Sequence, residues 1–242
     1  VSLLVSLGFV VFHRFLGAVC YVTGGTHVFQ HCLLVFSVIH LLNMVLPEEV
    51  LAENQNLLDA AKAASSRLQL LVDALLDVAR LEAGQEQFTM SPTNLAPIME
   101  KAVARLTPTL KLHEIQIVTT VADNVPTVLA DEEKIDRVLT NLIDNAVKYT
   151  PTNGTITVAA ERKDDLVYVS VNDTGPGIPA AERERIFERF AQVAGDKPRR
   201  RGFGLGLTFC QLVVQGHGGS IWVEQGDNDI GSKFVFTLSL EA

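Results

Sequence analysis

Between Asp131 and Tyr149 two patterns run along one stretch of chain, and together they restrict the fold more than any other feature. Ile135, Val138, Leu139, Leu142, Ile143, Ala146 and Val147 recur at the spacing of one helical face, while Asn141, Asn145 and Lys148 follow one another at four and three residues. At about 100° per residue each set falls into a stripe. The apolar stripe has to be buried, and Asp131 is placed to cap the helix. The amide stripe beside it must then look onto something polar at the edge of the core.

Two glycine-rich turns downstream supply a partner for that stripe. The first, Asp173-Thr-Gly-Pro-Gly-Ile-Pro179, follows the alternating run Val167–Asn172, so its acid emerges from the end of a half-buried strand. A carboxylate there can accept a hydrogen bond from an exocyclic amine such as the adenine N6, and Gly175 and Gly177 let the backbone approach a flat ring. The second, Gly202-Phe-Gly-Leu-Gly-Leu207, follows Arg199–Arg201 and leads into an apolar helix over Leu205–Gln215. Gly202, Gly204 and Gly206 can present backbone N–H groups to a phosphate at that helix start. No Gly-Lys-Ser/Thr follows, and no strand leads directly in, so the loop is neither a Walker A loop nor a dinucleotide fingerprint. Asn145 offers an amide oxygen suited to Mg²⁺, which takes few protein ligands. Lys148 adds a point charge for phosphate, and Tyr149 a lid or stacking surface for a base.

The rest of the chain is read around this site. Of 242 residues 48% are hydrophobic, enough for one sizeable core, and the net charge of −8 argues against nucleic acid as a partner. Cys20, Cys32 and Cys210 lack metal-type spacing and read as reduced thiols. Residues 1–46 contain a single formal charge, Arg14. Their two apolar pieces, 3–22 and 28–46, are borderline in length for membrane spans. After Pro47, Leu57, Ala61, Ala64, Leu68, Leu71, Leu75 and Val78 alternate at four and three residues, a heptad helix that ends at Gly84. From Gln85 the expectation is a short strand over 86–90, a helix over 94–111 and a strand over 114–121. The stripe helix follows, then paired strands over 155–160 and 166–172, the helix after the second glycine loop, and closing strands over 219–224 and 233–240. That order predicts a two-layer α/β sandwich with mixed strand pairing.

These residues resemble the motif set of bacterial sensor histidine kinases. Leu139-Thr-Asn-Leu-Ile-Asp-Asn-Ala-Val-Lys-Tyr-Thr-Pro151 is similar to their N box, Asp173–Pro179 to their G1 box, Glu184–Gln192 to their F box and Gly202–Leu207 to their G2 box. The resemblance covers residues 47–242. It implies the ATP-binding fold shared with DNA gyrase and heat-shock chaperones, with a lid over about 176–203 closing on Mg²⁺·ATP. It adds Ile178, Phe190, Arg201, Leu205, Leu207 and Thr208 to the ATP-binding set of Asn141, Asn145, Lys148, Tyr149, Asp173 and the glycines, with Asn145 on the metal. Residues 47–84 resemble the second helix of the dimerisation and phosphotransfer hairpin, which implies a homodimer through 48–82. Residues 85–242 resemble the catalytic domain, and a response-regulator receiver domain is the implied partner. Hydrolytic relatives place a glutamate one turn before the Mg²⁺-binding Asn; Asn141 stands there and cannot act as a general base. The expected chemistry is therefore transfer of the γ-phosphoryl to a histidine.

The family's phospho-accepting histidine, in a string close to His-Glu-Leu-Arg-Thr-Pro-Leu, has no counterpart in 1–46. His113-Glu114 mimics it but sits where a strand should begin. Counting about five helical turns back from Pro47 reaches the neighbourhood of His27, which has no acidic neighbour. His27 is the acceptor this spacing points to. Two readings of 1–46 stand open: a membrane hairpin, which would attach a cytoplasmic catalytic domain to the inner membrane, or a degenerate or frame-shifted first dimerisation helix. The second leaves a nucleotide-binding pseudokinase as the alternative function.

Overall fold

The computed structural model describes residues 55–192 and 202–240. His27, Arg201 and the whole 1–46 segment lie outside the described residues. Helix α1 (Gln55–Glu82) is followed by β1 (Ser91–Thr93), α2 (Leu95–Leu112), β2 (Gln116–Val121), β3 (Val128–Ala130), α3 (Glu132–Tyr149), β4 (Thr155–Lys163) and β5 (Leu166–Asp173). After two short 3₁₀ turns, Ala180–Glu182 and Arg185–Phe187, come α4 (Gly206–Gly216), β6 (Ile221–Gln225) and β7 (Ser232–Ser239). Among the described residues, 55–75 and those from Leu76 fall in separate compact units, so the division lies inside α1. Among the described residues no helix is long and apolar enough to cross a membrane.

In the unit from Leu76, five strands lie in the order β2-β4-β5-β7-β6, with β2 parallel to β4 and every other neighbour antiparallel. Alternation explains why this sheet has one buried face. Ile156, Val158 and Ala160 of β4, Val167, Val169 and Val171 of β5, and Phe234, Phe236 and Leu238 of β7 turn inward. They meet the apolar stripe of α3, whose Ile135, Val138, Leu139, Leu142 and Ile143 are fully buried. Burying each such side chain stabilises the fold by roughly 1.5–3 kcal/mol. Helices α2, α3 and α4 form the second layer, α3 packing against both others and against β5.

The cap predicted at Asp131 forms, and a second one forms at Asn94. Asn94 accepts a hydrogen bond from the Ala96 N–H at the start of α2, and Asp131 accepts one from the Lys134 N–H at the start of α3. Asp131 does more than cap: its second carboxylate oxygen accepts from the Thr89 N–H at 2.9 Å, and its own N–H donates to His217 Nε2 at 2.9 Å. His217 closes α4, and its Nδ1 lies 2.8 Å from the Val213 carbonyl. The N-terminus of α3 and the C-terminus of α4 are thus tied through one neutral imidazole. His113 is the cap of α2 and Glu114 follows it at φ +55°, so the His-Glu pair is a helix end.

Two sequence expectations need correction. The strand foreseen over 86–90 is β1, at Ser91–Thr93, paired with β3, which was not foreseen. Phe88 is the reason: its ring packs edge-on against His217 with centroids 5.1 Å apart and fills the space beside Gly216, so these residues serve a core contact instead of a ladder.

Candidate functional site

The strand alternation of β5 breaks at its end, where Val171, Asn172 and Asp173 are buried in succession. The Asp173 carboxylate accepts a 2.7 Å hydrogen bond from the Gly175 N–H and another from the Ser232 backbone. Burial raises its pKa above the ordinary carboxylate value, and those two hydrogen bonds oppose the rise. A half-satisfied carboxyl in a desolvated turn is a strong acceptor for a donor arriving from a ligand.

Backbone packs closely around this turn. A Cβ on Gly175 would come within 2.9 Å of the Tyr149 carbonyl, so the first glycine turn touches the end of the stripe helix. Gly231, at φ +75° in the β6–β7 turn, presses on the other side; a Cβ there would overlap the Asp173 carbonyl. Gly231 is a residue that sequence reasoning missed. The run Asp227-Asn-Asp-Ile-Gly231 does signal a turn, but nothing local shows that this turn closes on Asp173, 58 residues earlier in the chain.

The stripe of α3 faces the second glycine loop at both ends. Asn141 Oδ1 lies 3.5 Å from the position of a Cβ on Gly206, and Lys148 Nζ lies 3.8 Å from that on Gly202. Asn145 sits between them on the same face, half-exposed. Asn141 also hydrogen-bonds the Cys210 thiol, whose pKa burial pushes up to about 12. Lys148 pairs with Asp144 at 2.5 Å. Asp144 is surface-exposed, and such a pair yields readily to a phosphate.

The remaining expected residues fall into two groups. Phe190 is 55% exposed and adopts φ +62°. Its N–H donates to the Gly204 carbonyl at 2.8 Å, and a Cβ on Gly204 would meet the Phe190 backbone at 2.7 Å. This contact joins the segment after the first glycine turn to the second loop. The Leu205 and Thr208 side chains are buried, and the Thr208 hydroxyl donates to the Phe187 carbonyl at 2.9 Å. Ile178 and Leu207 pack partly buried on the core. The Thr208 bond ties the helix after the second loop to the segment after the first glycine turn.

A divalent cation fits this arrangement in one way. No cluster of three His, Cys, Asp or Glu side chains suited to a metal exists among the described residues. The Asn145 amide oxygen is a single neutral donor, and such a site suits an ion that keeps its waters and takes the rest of its shell from phosphate oxygens.

The family described as histidine kinase-, DNA gyrase B- and HSP90-like ATPase matches residues 130–242. The adaptive-response sensory kinase SasA of Synechococcus sp. (strain JA-3-3Ab) is 35% identical over 188 residues, 77% of this chain and 49% of that protein. The chain therefore spans about half the length of the curated relatives it matches. Among solved structures, full-length ShkA in complex with AMPPNP is 30% identical with a TM-score of 0.69, covering 78% of this chain and 40% of that one. The catalytic domain of histidine kinase ThkA is 31% identical with a TM-score of 0.56, covering 64% and 97%. ThkA in complex with the response regulator protein TrrA is 25% identical with a TM-score of 0.62, covering 86% and 57%.

Proposed function

Because this chain belongs to the sensor histidine kinases and carries their ATP-binding catalytic domain, we propose that it is the phosphoryl-donating part of a two-component signalling kinase. It binds Mg²⁺·ATP, passes the γ-phosphoryl to a histidine imidazole, and a response-regulator aspartate finally receives it. The observation that carries the reading is the pairing of a buried Asp173 at one glycine turn with the amide stripe of α3 against the other.

Asp173 accepts the adenine amine, and Gly175 and Gly177 leave room for the ring. The N–H groups at the start of α4 meet the phosphates, with Lys148 released from Asp144 and Arg201 adding charge. Asn145 holds Mg²⁺, which supplies charge neutralisation on the phosphate oxygens. In the chemical step an imidazole nitrogen attacks the γ-phosphorus, the bond to the β-phosphate oxygen breaks, and ADP leaves with the negative charge. Positioning and electrostatics supply most of the rate in such transfers. Asn141 cannot take a proton from water, so hydrolysis is suppressed in favour of transfer.

The boundaries proposed are 47–84 for the dimerisation helix and 85–242 for the catalytic domain. Leu57, Leu68 and Leu75 of α1 are 71%, 41% and 37% exposed, and a second copy of the helix would cover this heptad seam. For 1–46 the proposal keeps both readings, a membrane hairpin and a degenerate first dimerisation helix.

Labelled ATP tests the whole reading. Acid-labile, base-stable phosphate is expected on a separate intact hairpin carrying its own histidine when this chain is added to it. The chain alone is expected to bind ATP without labelling itself. Phosphohistidine on His27, lost in His27→Gln, would make the first helix functional. Binding without any transfer in trans would support the pseudokinase reading, and rapid release of free phosphate would overturn the kinase one.

A further inference from the structure

Gln225 and Arg183 make contacts that the proposed mechanism leaves unused. Gln225 is the last residue of β6 and Arg183 follows the first 3₁₀ turn, 42 residues earlier in the chain. The Arg183 guanidinium donates twice: Nε to the Ile178 carbonyl at 3.1 Å, and Nη2 to Gln225 Oε1 at 2.9 Å. The Gln225 amide then donates from Nε2 to the carbonyls of Asp229 and Gly231, at 3.1 and 3.3 Å. A Cβ on Gly177 would lie 3.0 Å from that same Gly231 carbonyl and 3.6 Å from Gln225 Nε2.

These bonds close a ring around the first glycine turn. One end grips Ile178, just past the turn. The other grips Gly231, whose backbone presses on Asp173 and Gly175 at the start of the turn. Both side chains bond backbone carbonyls and each other. Both fix the backbone that presents the Asp173 carboxylate. A planar fork with two donors suits such a clamp, since Arg forms both bonds from one rigid group. The β6–β7 turn is itself held from behind: Asn172 accepts from the Asp227 N–H at 3.2 Å and donates to the Asp227 carboxylate at 3.3 Å.

We propose that Arg183 and Gln225 are positioning residues for base recognition, a brace that sets how tightly Asp173 and the first glycine turn discriminate an adenine from a purine without the 6-amino group. The proposal rests on the ATP reading above. It assigns base selectivity partly to two side chains that never touch the base.

Gln225→Leu removes the bonds to Arg183 and to the β6–β7 turn at nearly constant volume, and Arg183→Leu removes the hold on Ile178 and the link to Gln225. Each variant and the double variant are titrated calorimetrically with ATP and with purine riboside triphosphate, which lacks the 6-amino group. Affinity for ATP is expected to fall roughly tenfold in Gln225→Leu, with purine riboside triphosphate affected less, so that discrimination shrinks. The double variant is expected to lose no more than the worse single one, because the two residues act as one unit. Gln225→Glu keeps the acceptor for Arg183 but turns an oxygen onto the Gly231 carbonyl, and it is expected to restore nothing. Equal loss of both nucleotides would reduce the pair to general support and overturn the proposal, as would unchanged affinities in Gln225→Leu. A native chain that binds neither nucleotide would overturn the ATP reading itself, and the brace's role with it.

Discussion

The two glycine turns of the site are built in opposite ways. The turn at 173–178 is enclosed: Asp173 is buried, Gly231 presses on it, and Tyr149 backs Gly175. The loop at 202–206 has looser contacts among the described residues. Among the described residues, a Cβ on Gly202 would meet the far end of Lys148, and one on Gly206 the Asn141 amide. Its one tight crossing is Gly204 over Phe190. In the proposed function the first turn recognises a rigid ring through fixed hydrogen bonds, so a displaced carboxylate would lose its purpose. The second, in the same proposal, admits and releases charged, flexible phosphates, and its partners are the polar side chains of Lys148 and Asn141. A nucleotide site therefore needs one wall that does not yield and one that does.

Gly231→Ala attacks the unyielding wall and should have the largest effect. The new Cβ overlaps the Asp173 carbonyl at a φ that L-residues avoid, so the β6–β7 turn must shift. Urea unfolding should show a loss of about 3 kcal/mol. A loss below about 1 kcal/mol would mean that the first turn is no more fixed than the second.

Asn145→Ala comes next and leaves both walls standing. Mg²⁺-dependent ATP affinity should drop about a hundredfold, roughly 2.7 kcal/mol, with the unfolding midpoint unchanged. Unaltered affinity in calorimetry would remove Asn145 from the metal role.

Asp173→Asn keeps the shape of the rigid turn but exchanges an acceptor for a donor facing the base amine. The cost should be on the order of 1–3 kcal/mol for ATP and less for an analogue without the 6-amino group. Equal losses would place the adenine elsewhere.

A smaller effect is expected from pH, acting on the frame that both walls share. His217 must be neutral to accept from the Asp131 N–H, and burial lowers its pKa. Because the unfolded chain takes up the proton first, this contribution is complete above the unfolded pKa near 6.5 and is lost as pH falls below it. Urea midpoints measured downward from pH 7 should decline in the native chain, and less steeply in His217→Gln.

Gly202→Ala should be the mildest change, within about 0.5 kcal/mol in stability, since the Lys148 side chain can move aside. A large loss would show that the second loop is as enclosed as the first and would erase the contrast.

Much of this molecule was legible in its sequence because the informative signals are local. Asp131 caps α3 through a side chain that reaches three residues, and β4 and β5 alternate by a period that any half-buried strand must follow. The stripe of Asn141, Asn145 and Lys148 was visible for the same reason. Other features have no local signature. β3 is three residues long, too short to show a period. Phe88 reads as a strand residue until His217, 129 positions later, is packed against it. Gly231 packs its backbone against Asp173, and Gln225 bonds Arg183, from another part of the chain, and contacts between distant segments leave no spacing to read. The glycines at 175 and 177 announce that something must come close; only the fold shows that one neighbour is the chain itself.

The buried thiol of Cys210 gives the core a reporter of its own opening. Thiol reagents react with thiolate, and a group with a pKa near 12 and no exposed surface presents almost none at neutral pH. Its alkylation has to wait until α4 separates from α3. Under conditions where reclosing outpaces the reagent, the rate of modification at this position measures the equilibrium for that separation. Bound nucleotide should slow it by the factor with which it favours the closed core, giving an affinity readout that needs no label on the ligand.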